Sequence, residues 1–358
     1  MKVCFTGGGT GGHIFPAFAV DSYLQDTVPQ YHRFWLGSTK AIEREWITEA
    51  GIPMYPIYSG KLRRYFSWRL FGDVVGIIIG FFQSLTILYK EKPQVLFSKG
   101  GYVSVPPVWA AALLGIPVLT HESDASAGLA TRLNALVAAI VCIPFAEAQK
   151  GYPKRLWPKV RVTGVPTRLR KSASHSVKKS DKPLIVVLGG SQGAKQINEL
   201  VWNHLDQLVG LATVVHQTGS SHSCDLNKEG YEWHPFIGKE LEQLLGKATL
   251  VISRAGATAL ADYMEMEVPM LLIPLGKGAS RGDQIENAKR LEHHGAAKVL
   301  DDESRFFETV KELLDCDIVR QQLVQQANAL YLKEADKIIG QLLIDLSKRR
   351  KGRWLNGC

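Results

Sequence analysis

Residues 2–14, KVCFTGGGTGGHI, and residues 184–198, LIVVLGGSQGAKQIN, decide the fold of this chain of 358 residues. Each stretch begins with an apolar run of strand length, continues into a glycine-rich turn and leads into a helical pattern. Parallel strands that are buried on both faces form such continuous apolar runs, and short apolar runs alternate with helical stretches after each of the two segments. The sequence therefore predicts an α/β protein with two Rossmann-like, doubly wound domains that face each other across a cleft.

The predicted elements fall into two halves. In the first half the predicted strands are Lys2–Thr6, His32–Leu36, Met54–Ile57, Val95–Phe97, Pro117–Thr120 and Ile140–Ile143. The helices predicted between them are Ile14–Leu24, Ile42–Glu49, Gly72–Tyr89, Val105–Leu114 and Gly128–Leu136. In the second half the predicted strands are Leu184–Leu188, Thr213–His216, Leu250–Ser253, Met270–Ile273 and Ala297–Leu300.

A polar stretch separates the halves. Residues 167–182 are rich in serine and lysine and lack apolar periodicity, which is typical of a linker. We therefore predict a first domain over residues 1–166 and a second over residues 167–334. The last stretch, about Arg320–Lys348, is predicted to be helical and amphipathic.

The formal net charge of +9 is unevenly distributed. Residues 1–166 hold 17 Lys and Arg against 10 Asp and Glu, and residues 167–347 hold 21 against 24. The last eleven residues hold five basic residues and no acidic one. This excess predicts an anionic partner, and composition alone leaves nucleic acid and an anionic membrane as equal candidates. With 46% hydrophobic and 22% charged residues, the composition excludes wholesale disorder, collagen and coiled coil.

Cysteine usage and the N-terminus both indicate the cytoplasm. The five cysteines have neither CxxC pairs nor metal-like spacing, which favours a reducing compartment; they are Cys4, Cys142, Cys224, Cys316 and Cys358. Met1 and Lys2 lead into a short apolar stretch and then glycines, without the long apolar core of a signal peptide. The most membrane-like segment, Val74–Tyr89, is about 16 residues long, whereas a spanning helix needs roughly 20, so it is predicted not to span.

Glycine-rich turns follow three predicted strands. In GGGTGGH, Gly7, Gly9 and Gly12 fit the dinucleotide pattern G-x-G-x-x-G, but residues 35–40, WLGSTK, lack the acidic residue that would hold a ribose. The alternatives are a turn that approaches a ligand phosphate, an NAD site and a purely structural tight turn. The turns at Gly189–Ala194 and Ser98–Gly101 also end predicted strands, which favours phosphate-bearing ligands in one cleft.

Eight segments carry a resemblance to a known family. They are FTGGGTGGHI (5–14), SGKLRRYFS (59–67), FSKGGYVSVP (97–106), HESD (121–124), LGGSQGAKQIN (188–198), HQTG (216–219), ISRAGATALAD (252–262) and SRGDQIENA (280–288). In these segments and their order, the sequence resembles the MurG family of N-acetylglucosaminyltransferases, which convert lipid I to lipid II in peptidoglycan synthesis.

The resemblance implies a GT-B fold whose last helix, about residues 335–352, packs back on the first domain. It implies UDP-N-acetylglucosamine (UDP-GlcNAc) as donor, bound mainly by the second domain. The acceptor would be undecaprenyl-pyrophosphoryl-MurNAc-pentapeptide, bound by the first domain, and the reaction a direct displacement with inversion. No cofactor is implied, and neither is a metal site.

Two residues are candidates for the general base. By the family's GGTGGH motif, His13 would lie near the acceptor hydroxyl, and an imidazole titrates in the range that a general base needs. The alternative for His13 is a capping or pyrophosphate-binding role. Asp124 stands where the family pattern has Asn, so its carboxylate would share or take over the base role, or else cap the next helix.

The resemblance also implies two sets of binding residues. The donor set is Thr10, Gly11, Gly12, Arg168, Ser191, Phe236, Ile237, Ala257, Thr258, Asp262, Gln284 and Asn287. The set in the acceptor and phosphate loops is Gly9, Lys99, Gly100, Gly101 and Glu122. Asp262 is one methylene shorter than the family's ribose-binding Glu, and Val165 replaces an Asn of the family pattern. A surface arginine is the alternative for Arg168, and a plain core position is the alternative for Phe236 and Ile237.

Basic and aromatic residues are interleaved just before the predicted helix Gly72–Tyr89. This mixture suits an anionic membrane surface, and the patch consists of Lys61, Arg63, Arg64, Trp68, Arg69, Phe71 and Phe82. A core helix is the alternative for the apolar run, and it is expected to hold for about half of its positions. The expected partners are the donor, the lipid-linked acceptor, the anionic inner-membrane surface and other cell-wall synthesis proteins, with nucleic acid excluded. The protein would be peripheral, at the cytoplasmic face of the cell membrane.

Two other functions remain open from the sequence. One is another UDP-sugar enzyme on the same fold, either a glycolipid synthase or a UDP-GlcNAc 2-epimerase. The other is a non-catalytic, membrane-docked protein that binds a nucleotide sugar.

Overall fold

A computed structural model describes residues 1–60, 69–171, 182–190, 192–220, 226–238, 240–276 and 282–355. The chain forms two compact units. The first consists of Met1–Arg168 and Glu334–Cys358, and the second of Leu169–Lys333. The passage from the first unit to the second lies two residues beyond the boundary expected from the sequence.

The first unit is built on a parallel sheet of seven strands. They are β1 (Lys2–Thr6), β2 (His32–Gly37), β3 (Met54–Pro56), β4 (Val95–Ser98), β5 (Val118–His121), β6 (Ile140–Ile143) and β7 (Val160–Val162). The helices between them are α1 (Phe15–Thr27), α2 (Ala41–Glu49), α3 (Arg69–Glu91), α4 (Val105–Leu113) and α5 (Leu129–Val137). The strand order is β3-β2-β1-β4-β5-β6-β7, so the sheet is wound in both directions from β1.

The second unit is built on a parallel sheet of six strands. They are β8 (Leu184–Leu188), β9 (Thr213–Gln217), β10 (Tyr231–His234), β11 (Leu250–Ser253), β12 (Met270–Leu272) and β13 (Lys298–Val299), in the order β10-β9-β8-β11-β12-β13. Its helices are α6 (Lys195–Asn203), α7 (Leu205–Leu211), α8 (Leu241–Lys247), α9 (Ala257–Glu265), α10 (Asp283–His293), α11 (Phe306–Asp315) and α12 (Asp317–Leu330). The prediction of two doubly wound α/β domains is therefore confirmed.

The final helix, α13 (Ala335–Leu355), belongs to the first unit and packs against α1. Its residues Ile339 and Leu343 lie in the same buried cluster as Val3 and Phe5 of the central strand β1. Gly340 permits the close approach, because a Cβ atom there would lie 2.3 Å from the ring of Tyr23. The last helix thus covers one face of the first sheet, and the layer it forms is part of that unit's core.

Several predicted elements differ from the observed ones. The strands β7 and β10 were not predicted. The helical stretch predicted over Arg320–Lys348 is two helices, because residues 331–334 interrupt it and Glu334 takes a positive φ of 62°. The helical pattern that follows residues 184–198 is likewise divided, at His204, into α6 and α7.

The length of α3 differs from the length expected for the membrane-like segment Val74–Tyr89. It has 23 residues, and its segment Gly72–Glu91 is long and apolar enough to cross a membrane by length and composition, with 17% of its most apolar window buried. The prediction that this segment is too short to span is therefore wrong. The sheet topology gives a better reason to expect that α3 does not span a membrane. The helix connects β3 to β4, and both strands belong to one parallel sheet. A crossover helix of this kind lies along its sheet.

Candidate active site

Two glycine turns of the first unit are in contact. Strands β1 and β4 are neighbours with Thr6 opposite Ser98, so the turns that follow them begin at the same level of the sheet. A Cβ atom on Gly101 would lie 2.5 Å from the carbonyl oxygen of Gly8 and 3.1 Å from Cδ2 of His13. The structure thus brings together the His13 ring and Gly101, two residues that the sequence assigns to catalysis and to the acceptor loops.

A short 3-10 helix, Gly11–His13, holds the predicted base. The N–H of His13 donates to the carbonyl of Thr10 at 3.1 Å, and the N–H of Ile14 donates to that of Gly11 at 2.9 Å. Thr10 is exposed and Gly11 is buried. Gly9 has a φ of 102°, which favours glycine, and its N–H donates to the carboxylate of Glu43. A phosphate at Gly9 would therefore have to be bound by other groups of the turn.

The loop after β5 carries Glu122 and Asp124. One carboxylate oxygen of Glu122 accepts the N–H groups of Ser123 at 2.9 Å and Asp124 at 3.2 Å, and the other accepts that of Gly128 at 3.0 Å. Three such bonds satisfy a carboxylate that is only 5% exposed. Glu122 therefore shapes the loop that presents Asp124, which is itself half-buried.

A buried cation lies close to this loop. Lys99, at the end of β4, is 1% exposed, and burial lowers the pKa of its ammonium group while the charges of Glu122 and Asp124 act in the opposite direction. Those carboxylates are therefore the counter-charges of Lys99 inside the first unit.

The sequence assigned no role to His121, which is fully buried next to Glu122. Its Nε2 lies 2.8 Å from the carbonyl oxygen of Gly164, so this nitrogen carries the proton and donates. Burial and then the charge of Lys99 lower the pKa of His121 well below its usual range, with the bond to Gly164 opposing them. A neutral His121 thus fastens the end of β5 to the segment that leaves the first unit.

Arg168 ends that segment. Its guanidinium carbon lies 4.9 Å from the ring centroid of Phe15 and 5.7 Å from that of Phe18, both on α1. Cation–π contacts of this kind hold a planar cation in place while its edges remain able to donate hydrogen bonds. Nearby Val165, which stands where the family pattern has Asn, is 7% exposed.

The second unit has its own pair of contacting turns. A Cβ atom on Gly193, whose φ is 78°, would lie 2.0 Å from the carbonyl oxygen of Thr218, so the turn after β8 packs directly on the turn after β9. The side-chain amide of Gln217 donates to the carbonyl of Gly190 at 2.8 Å, and its oxygen accepts the N–H of Ile237 at 2.8 Å. Ser191 lies outside the described residues.

The two residues predicted at the uracil edge differ in exposure. The Phe236 side chain is 46% exposed, whereas the Ile237 side chain is 4% exposed and packs in a core cluster. The alternative that both residues are plain core positions therefore applies to the Ile237 side chain but not to Phe236.

The loops after β11 and β12 are fastened by the predicted amides. Nδ2 of Asn287 donates to the carbonyl of Ala255 at 3.1 Å, and Oε1 of Gln284 accepts the N–H of Leu275 at 3.0 Å. Ala257 and Thr258 begin α9, where no side chain caps the helix, and Asp262 is half-buried farther along it. Gln284 and Asn287 therefore position the backbone beside this helix N-terminus.

Arg254 is a functional candidate that sequence reasoning missed. One terminal nitrogen of its guanidinium donates to Oε1 of Gln196 at 2.6 Å and to the carbonyl of Ile273 at 2.9 Å. These bonds join α6 to the ends of β11 and β12. The signal that could have found it is its place in the motif SRAGA, directly after a predicted strand.

The predicted membrane patch is only partly described. Lys61, Arg63, Arg64 and Trp68 lie outside the described residues, and only the backbone is described for Arg69 and Phe71. Phe82 is 60% exposed and continues a stripe of exposed apolar side chains on α3, which are Val74, Val75, Ile78 and Ile79. Ser84 and Leu88 are buried, so α3 has one face in the unit and one apolar face in solvent. Within the described part of the chain, no three His, Cys, Asp or Glu side chains are grouped to hold a metal ion.

Comparison with known proteins gives consistent matches along the chain. Family models for the N-terminal and C-terminal domains of glycosyltransferase family 28 match residues 3–143 and 184–342. A relative from Treponema denticola is 41% identical over 326 residues, which cover 83% of each chain. One from Clostridium botulinum (strain Langeland) is 39% identical over 323 residues, which cover 88% of this chain and 90% of the relative. Both are named UDP-N-acetylglucosamine–N-acetylmuramyl-(pentapeptide) pyrophosphoryl-undecaprenol N-acetylglucosamine transferase.

A solved structure matches the whole fold. The crystal structure of MurG from Acinetobacter baumannii aligns with a TM-score of 0.73 and 27% sequence identity, over 96% of this chain and 99% of that chain.

Proposed function

The chain belongs to glycosyltransferase family 28, and from that premise we propose that it transfers N-acetylglucosamine from UDP-GlcNAc to undecaprenyl-pyrophosphoryl-MurNAc-pentapeptide. The product is lipid II, the precursor of peptidoglycan. The observation that carries this proposal is the 41% identity, over 83% of the chain, with a transferase whose name states this donor and acceptor. The other two functions left open by the sequence have no comparable support.

The reaction is a direct displacement at the anomeric carbon of GlcNAc. The C4 hydroxyl oxygen of MurNAc forms a bond to C1 while the bond from C1 to the β-phosphate oxygen of UDP breaks. The leaving UDP takes the bonding electron pair, and the hydroxyl proton passes to a base on the protein. Attack from the face opposite UDP inverts the configuration and gives a β-1,4 linkage.

Two residues of the first unit are proposed for the proton transfer. His13 stands on the first glycine turn with its ring against Gly101, and Asp124 stands on the loop that Glu122 shapes. The buried ammonium group of Lys99 interacts electrostatically with Asp124. The pH dependence of kcat distinguishes the two. A general base must be unprotonated, so kcat falls at low pH in the wild-type enzyme. The base is the residue whose replacement, His13→Ala or Asp124→Asn, removes this fall.

The donor is proposed to bind chiefly to the second unit. The N-terminus of α9, at Ala257 and Thr258, offers N–H groups to the UDP-sugar, and Asp262 farther along α9 accepts from the ribose hydroxyls. Gln284 and Asn287 recognise the sugar, and Phe236 with the backbone of Ile237 borders the uracil. The remaining members of the proposed donor set are Thr10, Gly11, Gly12, Arg168 and Ser191.

The exposed stripe on α3 is proposed to dock on an anionic membrane. Apolar side chains that are exposed at helical spacing suit the interface between lipid head groups and acyl chains, and the excess of basic residues in residues 1–166 suits anionic lipids. The protein would then be a peripheral protein of the cytoplasmic face, where its lipid-linked acceptor is held. Other cell-wall synthesis proteins are proposed as further partners.

The test is UDP release from UDP-GlcNAc with and without a lipid I analogue. Acceptor-dependent release, with a disaccharide product of the expected mass, is the expected result. Release that does not depend on the acceptor, or donor binding without release, would contradict the proposal.

A further inference from the structure

A buried carboxylate that the catalytic and binding assignments do not use lies behind the first glycine turn. Glu43, in the first turn of α2, is 1% exposed. One of its carboxylate oxygens accepts the N–H of Gly9, and the other accepts the hydroxyl of Ser38 at 2.5 Å and its N–H at 3.2 Å. A buried carboxylate is costly unless hydrogen bonds replace its contacts with water, and these three bonds do so.

The glycines of the turn are shaped to admit this carboxylate. A Cβ atom on Gly8 would lie 2.6 Å from one carboxylate oxygen of Glu43 and 2.8 Å from the other, closer than any side chain could come. Gly9 has a φ of 102°, which turns its N–H toward Glu43 at no steric cost. Gly8 and Gly9 are therefore explained by Glu43, without a ligand phosphate.

The segment that Glu43 holds leads directly to His13. The carbonyl of Gly8 faces Gly101, where a Cβ atom would lie 2.5 Å away, and Gly7 faces the carbonyl of His13, where a Cβ atom would lie 2.8 Å away. The backbone of residues 7–9 is thus packed tightly between the Glu43 side chain and Gly101. A change that released the Gly9 N–H would let this backbone and the attached His13 shift together.

We propose that Glu43 is a positioning residue for the transfer reaction, one that fixes the first glycine turn and through it the imidazole of His13. This inference rests on the proposed function. Displacing a reacting group by about 1 Å costs on the order of 100-fold in rate, even when the change is made away from the reacting atoms. Glu43 should therefore act mainly on kcat and much less on donor binding, because the donor is proposed to bind chiefly to the second unit and only Thr10, Gly11 and Gly12 of its set lie on this turn.

Three variants distinguish the effect of side-chain length from the effect of charge at position 43. Glu43→Ala removes every bond to the turn. Glu43→Gln keeps the length and one oxygen for the Gly9 N–H; its amide NH2 can donate to the Ser38 hydroxyl oxygen but loses the bond from the Ser38 N–H. Glu43→Asp keeps the charge but is shorter by about 1.5 Å. Glu45→Ala is the matched control, because Glu45 is exposed on the same helix.

The measurement is kcat at saturating donor and acceptor, the KM for UDP-GlcNAc and the circular dichroism spectrum of each variant. We expect Glu43→Ala to lower kcat by about 10- to 100-fold, while the donor KM rises by no more than about fivefold. Glu43→Gln should stay within about fivefold of wild type, Glu43→Asp should resemble the alanine variant, and Glu45→Ala should resemble wild type.

A wild-type kcat in Glu43→Ala, or a donor KM that rises by as large a factor as kcat falls, would overturn the positioning role. If the alanine variant does not fold, the Gln and Asp variants decide, and an Asp variant as active as the Gln variant would overturn it. Acceptor-dependent release by the wild-type enzyme tests the proposed function in the same series. Failure of that function is therefore distinguished from failure of the role of Glu43.

Discussion

Replacing two side chains of the exposed α3 stripe should weaken membrane binding by a calculable amount. Phe82 is 60% exposed and Ile78 is 51% exposed, one turn apart on the same face of α3. Together they present about 200 Å² of apolar surface, which at about 25 cal/mol per Å² is worth about 5 kcal/mol if fully transferred from water. An interfacial helix inserts only part of this surface, and half of it amounts to about 2.5 kcal/mol.

We therefore expect the double variant Ile78→Ser, Phe82→Ser to bind vesicles of anionic phospholipid about 50-fold more weakly than wild type. Both side chains face solvent, so the free energy of unfolding should change by no more than about 1 kcal/mol. Turnover of a soluble acceptor analogue should be unchanged. The measurement is sedimentation with vesicles at several lipid concentrations, followed by UDP release in the absence of lipid.

The matched control is Ile318→Ser. Ile318 is 68% exposed, on α12 of the second unit, so this change removes an equally exposed apolar side chain away from the stripe. The control should bind vesicles as wild type does. A double variant that binds no more weakly than the control would refute the assignment of the stripe to the membrane.

Three further results are expected. His13→Ala should lower kcat by about 100- to 10,000-fold while the Kd for UDP-GlcNAc, measured by calorimetry, stays within about twofold; a large loss of donor affinity would contradict its place on the acceptor side. Gly193→Ala should abolish donor binding in the same assay, because the new Cβ atom would meet the Thr218 carbonyl at 2.0 Å, whereas Gly210→Ala, with no atom within 4 Å, should bind normally. Burial lowers the pKa of His216 to about 3, so between about pH 6.5 and about pH 3 only the unfolded chain binds this proton. The free energy of unfolding of the second unit should accordingly fall by about 2 kcal/mol from about pH 7 to about pH 5 in urea titrations, and His216→Gln should remove that slope.

The central strands could be predicted from the sequence because burial on both faces leaves an unbroken apolar run. Strands β1 and β8 have such runs and were predicted with their observed bounds. The two strands that were missed, β7 and β10, lie at the edges of their sheets. An edge strand is partly exposed, so VRV and YEWH mix polar with apolar residues and carry no run.

The glycine turns of the proposed site can be predicted from the sequence, but some of the residues that hold them, Glu43 and His121, cannot. The residues of a turn are consecutive in the sequence, so GGGTGGH and SKGG can be identified as glycine-rich turns from the sequence alone. Glu43 lies in an ordinary helical pattern, and only the folded chain places its carboxylate at Gly9. The same holds for His121, whose partner Gly164 lies 43 residues away. Side chains that act through tertiary contacts leave no local signature.

The packing of α13 on the first unit has a consequence for synthesis on the ribosome. The buried cluster around Val3 and Phe5 contains Ile339 and Leu343, so segments that lie far apart in the sequence complete one core. The second unit, Leu169–Lys333, holds all of its own strands and can therefore finish folding before the first. Until α13 emerges from the ribosome, the sheet of the first unit has one apolar face uncovered, and exposed apolar surface of this kind makes a nascent chain prone to aggregation.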